Sequence, residues 1–270
     1  AKRTSKYPQE DVSGTWETCS PESMQDFSAV AYFFARRVQE ELNIPIGLID
    51  NAWGASSAEV WTPESVFKAH PELVESHKKI VPNKWVTVEK SSLYNGMIAP
   101  LTKFKISGAL WYQGESNTAN AENYQKLFSN MITSWRTVWQ DDFPFYYVQI
   151  APFKYGDEFS GGIVRDQQRR TLSLTNTGMA MTSDICTVED IHPLNKQDVG
   201  LRLANIALKD HYNLLQGQEV YGPLYASSEI TGNQIVINFN PKAVRYAWRS
   251  TDIGTLFNAV GLPASTFISE

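Results

Sequence analysis

The feature that most constrains this chain is a repeated alternation of short apolar runs, polar loops and amphipathic stretches at helical spacing. The runs at 46–49, 107–112, 145–150 and 179–182 have the length and continuous apolarity of strands buried on both faces. The stretches between them carry helical periodicity. Val30, Phe34, Val38 and Leu42 share one face of 27–42, and Leu127, Met131, Trp135 and Val138 one face of 122–139. The stretch 164–174 is predicted to expose Arg165, Arg169 and Arg170, and 194–212 carries Val199, Leu203 and Ile206 inward. Strand-helix crossovers this long join parallel strands. The expectation is therefore an α/β fold, a doubly wound parallel sheet over residues 1–215. The remainder, 216–270, changes character: 229–239 and 243–248 read as a small antiparallel β appendage.

Composition narrows the function classes. The 270 residues carry a net charge of -5, whereas nucleic-acid binders show a basic surplus, so no nucleic-acid partner is expected. No apolar run approaches the roughly 20 residues of a membrane-spanning helix, and the opening Ala1-Lys2-Arg3-Thr4 is too polar for a signal peptide. Cys19 and Cys186 fit neither a metal-ligand spacing nor a disulfide framework, leaving one bridge or two free thiols. The 8 Trp and 12 Tyr suit a sugar-binding cleft and an aromatic core equally well.

The polar loops after the strands hold the candidate chemistry. Those containing Gly54, Gln113 and Asp190/His192 each follow the carboxyl end of an expected strand, and in an open α/β sheet those ends form one ligand-binding rim. Asp190-Ile191-His192 puts a carboxylate where it can orient an imidazole and stabilise its charged form, as a general base requires. Gly54 is either a turn glycine or a backbone N–H aimed at an oxyanion. Gln113 offers a neutral amide donor to developing negative charge. Glu115 and Asn117 either orient Gln113 or cap the following helix. The nucleophile is missing: there is no Gly-x-Ser-x-Gly elbow, and Ser20, Ser23, Ser56, Ser57 and Ser116 lie in loops without a motif. His192 and Asp190 lack further ligands at metal-binding spacing, so neither metal nor cofactor is expected.

Four blocks carry a resemblance: Trp53-Gly54-Ala55-Ser56, Leu93-Tyr94-Asn95-Gly96-Met97-Ile98-Ala99-Pro100, Trp111-Tyr112-Gln113-Gly114-Glu115-Ser116-Asn117 and Asp190-Ile191-His192-Pro193. In this order, over 15–215, they resemble the sialate O-acetylesterase family, SGNH hydrolases that remove acetyl groups from sugars. Ala243-Val244-Arg245-Tyr246-Ala247-Trp248 and Gly261-Leu262-Pro263-Ala264-Ser265 are similar to its C-terminal signature. The resemblance implies an SGNH-type fold and a serine/histidine acyl-enzyme mechanism. Gly54 and Gln113 would form the oxyanion hole, His192 would be the base, and Asp190 its partner, with Glu189 and Asp184 as competitors. It also implies an acetylated sugar as substrate, and export, as for enzymes that degrade glycans outside the cell.

Two departures stand out. The family's serine block, Gly-Gln-Ser-Asn-Met after the first strand, is absent, and the junction between 234–239 and 241–244 is abrupt. A doubly wound sheet without its central strand exposes two apolar strand edges. The expectation is thus a fragment, a processed subunit or an incomplete record, with strand and serine on an N-terminal segment or second chain. The competing readings are an esterase for acetylxylan or another plant glycan, and a glycan-binding module of the same fold without catalysis.

Overall fold

The computed structural model describes residues 2–222, 229–231, 234–236, 245–247, 249–258 and 260–268. Its helices are α1 (Pro21–Met24), α2 (Ala29–Leu42), α3 (Glu64–Ala69), α4 (Pro71–His77), α5 (Tyr124–Trp139), α6 (Ser160–Thr171) and α7 (Lys196–Asp210). Strands β1 (Ala109–Trp111), β2 (Phe145–Val148) and β3 (Thr177–Ala180) form a parallel sheet in that order, with Trp111 opposite Tyr147 and Tyr147 opposite Met179. Towards the carboxyl end come two antiparallel pairs, β4 (Glu229–Thr231) with β5 (Gln234–Val236) and β6 (Arg245–Tyr246) with β7 (Phe267–Ile268). The flanks 237–239, 243–244 and 248 of the expected appendage strands lie outside the described residues. No described helix is long and apolar enough to cross a membrane.

The sheet is wound on both faces, and the side-chain alternation of β2 shows how. Phe145 and Tyr147 point into one core with Trp111, Met179 and the Leu127, Phe128, Met131 and Trp135 face of α5. Tyr146 and Val148 point into the other with Ala180 and the Val199, Leu203 and Ile206 face of α7. Both faces being apolar, the strand reads as a continuous hydrophobic run. Helices α2 and α7 cross closely because position 200 is glycine. A Cβ there would sit 2.7 Å from both the Phe33 Cβ and the Val30 carbonyl oxygen.

Helix ends follow local chemistry. Ser28 caps α2, Asn195 caps α7, and Asn43 and Gln140 close α2 and α5 in the left-handed conformation. Helix α6 begins at Ser160, four residues before the expected 164, because the Asp157 carboxylate accepts the Phe159 and Ser160 N–H groups at 2.8 and 2.7 Å. The run Gly161-Gly162 hides that start from a propensity reading.

Three expectations are corrected. The run 46–49 is not a strand: it pairs with none among the described residues, and Ile49 is 42% exposed. An apolar segment becomes a strand only beside a strand neighbour, and here Ile46 packs against the Val38, Ala204 and Leu208 cluster while the Trp16 indole lies 3.4 Å from the Cβ that Gly47 lacks. Val138, expected on the inner face of α5, is exposed. The cysteines are both free.

Arg165 is the third correction. Far from exposed, it is 1% accessible. Nε donates to Thr266 Oγ1 at 2.8 Å, Nη1 to the Ser250 carbonyl at 3.1 Å, and Nη2 to the Ala247 and Arg249 carbonyls at 2.9 and 2.8 Å. Burial pulls its pKa down to about 10. Its neighbours Arg169 and Arg170 instead clamp the buried carboxylate of Asp166. Arg165→Met removes all four of these bonds, leaving the Ser250, Arg249 and Ala247 carbonyls one donor each, from the Phe153 and Asp252 N–H groups and the Thr266 hydroxyl. It is expected to cost about 3 kcal/mol or more in urea unfolding, with earlier proteolysis after residue 245.

Candidate active site

Gln113 lies two residues past the end of β1, and the chain after it needs a glycine. Gly114 has φ 151°, and a Cβ there would meet Ile150 Cγ2 at 2.7 Å. The Gln113 side chain is buried and fully engaged. Its Oε1 accepts from the Tyr124 hydroxyl at 3.0 Å, and Nε2 donates to Asn117 Oδ1 at 2.8 Å and to the Ser56 carbonyl at 3.1 Å. That last bond joins the Gln113 loop to the Gly54 turn.

The Gly54 turn is held from inside. Ser56 Oγ donates to the Trp53 carbonyl at 2.7 Å and accepts from Trp61 Nε1 at 2.8 Å, which makes this hydroxyl a strut. Ala55, not Gly54, takes the left-handed backbone, at φ 60°. A Cβ at position 54 would meet nothing within 4 Å, so no neighbouring helix explains the glycine. Ser57 is buried, and its hydroxyl has no hydrogen-bond partner among the described residues.

Beneath these two loops lies a polar network that sequence reasoning missed. Asn117, fully buried, accepts from the Ala58 N–H at 2.9 Å and donates to Glu59 Oε2 at 2.9 Å and to Asn120 Oδ1 at 3.0 Å. Asn120 Nδ2 donates to Glu59 Oε1 at 2.6 Å and to Ser76 Oγ at 3.1 Å. Glu59 is 1% exposed and makes no ion pair among the described residues. The available signal was a carboxylate inside the apolar run Ala58-Glu59-Val60-Trp61, since acids are almost never fully buried unless paired. Of the two residues expected to orient Gln113, Asn117 is hydrogen-bonded to it. Glu115 makes none of Gln113's hydrogen bonds and faces Lys196 instead.

The third loop is built differently. Asp190 Oδ1 accepts the His192 backbone N–H at 2.8 Å, an Asx turn, and no carboxylate stands within ion-pair distance of the ring among the described residues. His192 and Glu189 are exposed. Asp184 is committed elsewhere, its oxygens receiving Arg202 Nη1 and Nη2 at 2.7 and 2.6 Å. Pro193 and the Asn195 cap then start α7. No hydrogen bond joins any serine to the His192 ring among the described residues. Ser20 and Ser23 form a reciprocal capping box on α1.

Glu115 of the second loop and Lys196 after the third influence each other electrostatically. Burial raises the Glu115 carboxyl above its ordinary value, and the Lys196 cation partly offsets this. Lys196, itself lowered by burial, sits 5.0 Å from the centre of the Tyr112 ring, whose hydroxyl is buried without a partner among the described residues. A surface depression lined by Ser107, Pro144 and Asn176 opens instead at the amino ends of the strands, the opposite rim.

A doubly wound parallel sheet with its polar loops gathered beyond the carboxyl ends is the architecture of an SGNH-type hydrolase. Within that class, residues 11–209 match the family described as carbohydrate esterase, sialic acid-specific acetylesterase, and the chain belongs to it. The mouse sialate O-acetylesterase is 30% identical over 222 residues, 65% of this chain and 41% of that protein. The human one is 31% identical over 199 residues, 65% of this chain and 38% of that protein. The chain thus spans about two fifths of the mouse and human relatives' length. A carbohydrate acetylesterase from Xanthomonas citri, known as a crystal structure, superposes with a TM-score of 0.84 at 29% identity, covering 100% of this chain and 72% of that one.

A raised carboxyl makes stability depend on pH. The folded chain holds the Glu115 proton more tightly than the unfolded chain, so this contribution is full at low pH and is lost as pH rises through the raised value. Glu115→Gln should therefore melt higher than the parent at neutral pH, with the gap closing below the ordinary carboxyl range. Thermal melts of both proteins across that range measure it.

Proposed function

We propose that this chain forms the base and oxyanion side of a carbohydrate O-acetylesterase active site, of the sialate 9-O-acetylesterase kind. The observation that carries the reading is the bond from Gln113 Nε2 to the Ser56 carbonyl, which puts an amide donor against the Gly54 turn at the carboxyl rim of the sheet. A serine hydroxyl attacks the acetyl carbonyl while His192 takes its proton. The Gly54 N–H and Gln113 Nε2 hold the resulting oxyanion. Collapse expels the sugar oxygen, which leaves with the proton from His192, and water then hydrolyses the acyl-enzyme with His192 again as base. Asp190 acts on His192 through the backbone of their shared turn.

The attacking serine enters on a strand that adds beside the open edge of β1, near the unpaired 46–49 run, from an N-terminal segment or a second chain of the same protein. The exposed Ile49 of that run and the single partner of β1 among the described residues support this placement. In the complete protein, His192→Ala should lower turnover of a chromogenic acetate ester by about 10²- to 10⁴-fold. Retained turnover rejects the base assignment. A complete protein that binds acetylated sugar saturably but hydrolyses none favours the binding-module reading.

The sugar is the finer part of the proposal, and Trp85 supports it. This residue is 67% exposed, yet its backbone is tied to the Gly54 turn: Trp53 Nε1 donates to the Trp85 carbonyl at 3.1 Å and Asn83 Nδ2 to the Ala55 carbonyl at 3.4 Å. Lys84 Nζ stands 4.6 Å from its ring centre. An exposed indole whose backbone is tied to the Gly54 turn offers a flat apolar face to a sugar ring. Trp85→Ala should lower kcat/KM for an acetylated sugar about tenfold, or ~1.4 kcal/mol, and leave a small aryl acetate unchanged. Equal losses on both substrates reject the platform. Comparing acetylated sialic acid with acetylated xylose oligomers separates the two substrate classes.

A further inference from the structure

We infer that Glu59 is a positioning residue: its buried carboxylate, acting through Asn117, sets which end of the Gln113 amide faces the Gly54 turn. The inference rests on the proposed role of Gln113 and adds a residue to it. A primary amide has one accepting and one donating end, and the two differ only in what they can bond. The Ser56 carbonyl favours the NH₂ end at the turn, but that is the single bond an incoming oxyanion would displace, and the Tyr124 hydroxyl on the other side can either donate or accept. A carboxylate whose two oxygens both receive amide N–H groups has no such ambiguity, because it only accepts.

The polarity passes outward step by step. Glu59 Oε2 receives Asn117 Nδ2 at 2.9 Å, so Asn117 Oδ1 must point the other way. There it receives the Ala58 N–H at 2.9 Å and Gln113 Nε2 at 2.8 Å. Gln113 Oε1 is thereby turned to the Tyr124 hydroxyl, 3.0 Å away, and the second Nε2 proton to the Ser56 carbonyl at 3.1 Å. That second proton lies at the turn and is the one an incoming oxyanion competes for. Asn120 closes the set, giving one proton to Glu59 Oε1 at 2.6 Å and offering its own oxygen to Asn117 at 3.0 Å.

A glutamine at position 59 breaks the relay whichever way it turns. Facing its NH₂ to Asn117 forces Asn117 to flip, which places a donor against both the Ala58 N–H and Gln113 Nε2. Facing it to Asn120 forces Asn120 to flip and places its NH₂ against Asn117 Nδ2. Each mismatch leaves buried donors unpaired.

The test is a double-mutant cycle on kcat in the complete protein, with a chromogenic acetate ester and at a temperature where every variant is folded by circular dichroism. Glu59→Gln should lower kcat tenfold or more with KM little changed, as removal of an oxyanion donor does. Gln113→Ala should do the same. The pair should fall no further than Gln113→Ala alone, because both changes remove one function. If Glu59→Gln does not fold, Asn117→Ala cuts the same link and is read by the same cycle. Full kcat in Glu59→Gln beside a damaged Gln113→Ala overturns the relay and leaves the proposed mechanism standing. Losses that multiply in the double variant also overturn it, since they make Glu59 a purely structural acid. Full kcat in Gln113→Ala overturns the oxyanion role of Gln113, and the relay with it.

Discussion

The rim of this sheet depends on a buried carboxylate that has no cation among the described residues. The Glu59 carboxylate oxygens accept two amide N–H groups, from Asn117 and Asn120, and make no ion pair with an arginine or lysine among the described residues. Removing a carboxylate from water is costly unless hydrogen bonds replace the lost hydration, and the amides supply them. The consequence is structural as well as energetic. Three stretches distant in sequence, the 3-10 turn Ala58–Trp61, the carboxyl end of α4 and the loop after β1, are bonded into one unit through that acid.

Much of the framework was legible because it is periodic. Helices α2, α5 and α7 show their buried faces at helical spacing, and β2 its double-sided apolarity. Features decided by distant partners were not legible. Arg165 sits on a helix where spacing alone assigns it to solvent, and its burial is set by carbonyls from 247–250. Glu59 finds its amides 58 and 61 residues further along the chain. The 46–49 run fails as a strand for the same reason in reverse, since apolarity predicts burial only where a partner exists.

The candidate site divides along the same line. Gln113 and Asn117 were visible as polar residues after an apolar run, and they share one hydrogen-bonded cluster with Ser56 of the Gly54 turn. Asp190 and His192 were visible as a pair, but the contact between them is a local turn bond to the backbone and not to the ring. Short-range Asx geometry competes for the same carboxylate oxygen that a ring contact needs. Asp184 and Arg202 show the opposite outcome, a carboxylate taken up by a longer-range ion pair.

The amide cluster also bears on how the rim responds to charge. Dipoles locked by an internal acceptor cannot swing to follow a newly formed ion, so little reorganisation energy is spent when charge appears before them. The same stiffness removes tolerance. A carbonyl that approaches from another direction finds fixed dipoles that do not turn to meet it, so the geometry of attack is set by the protein's interior and not by the ligand.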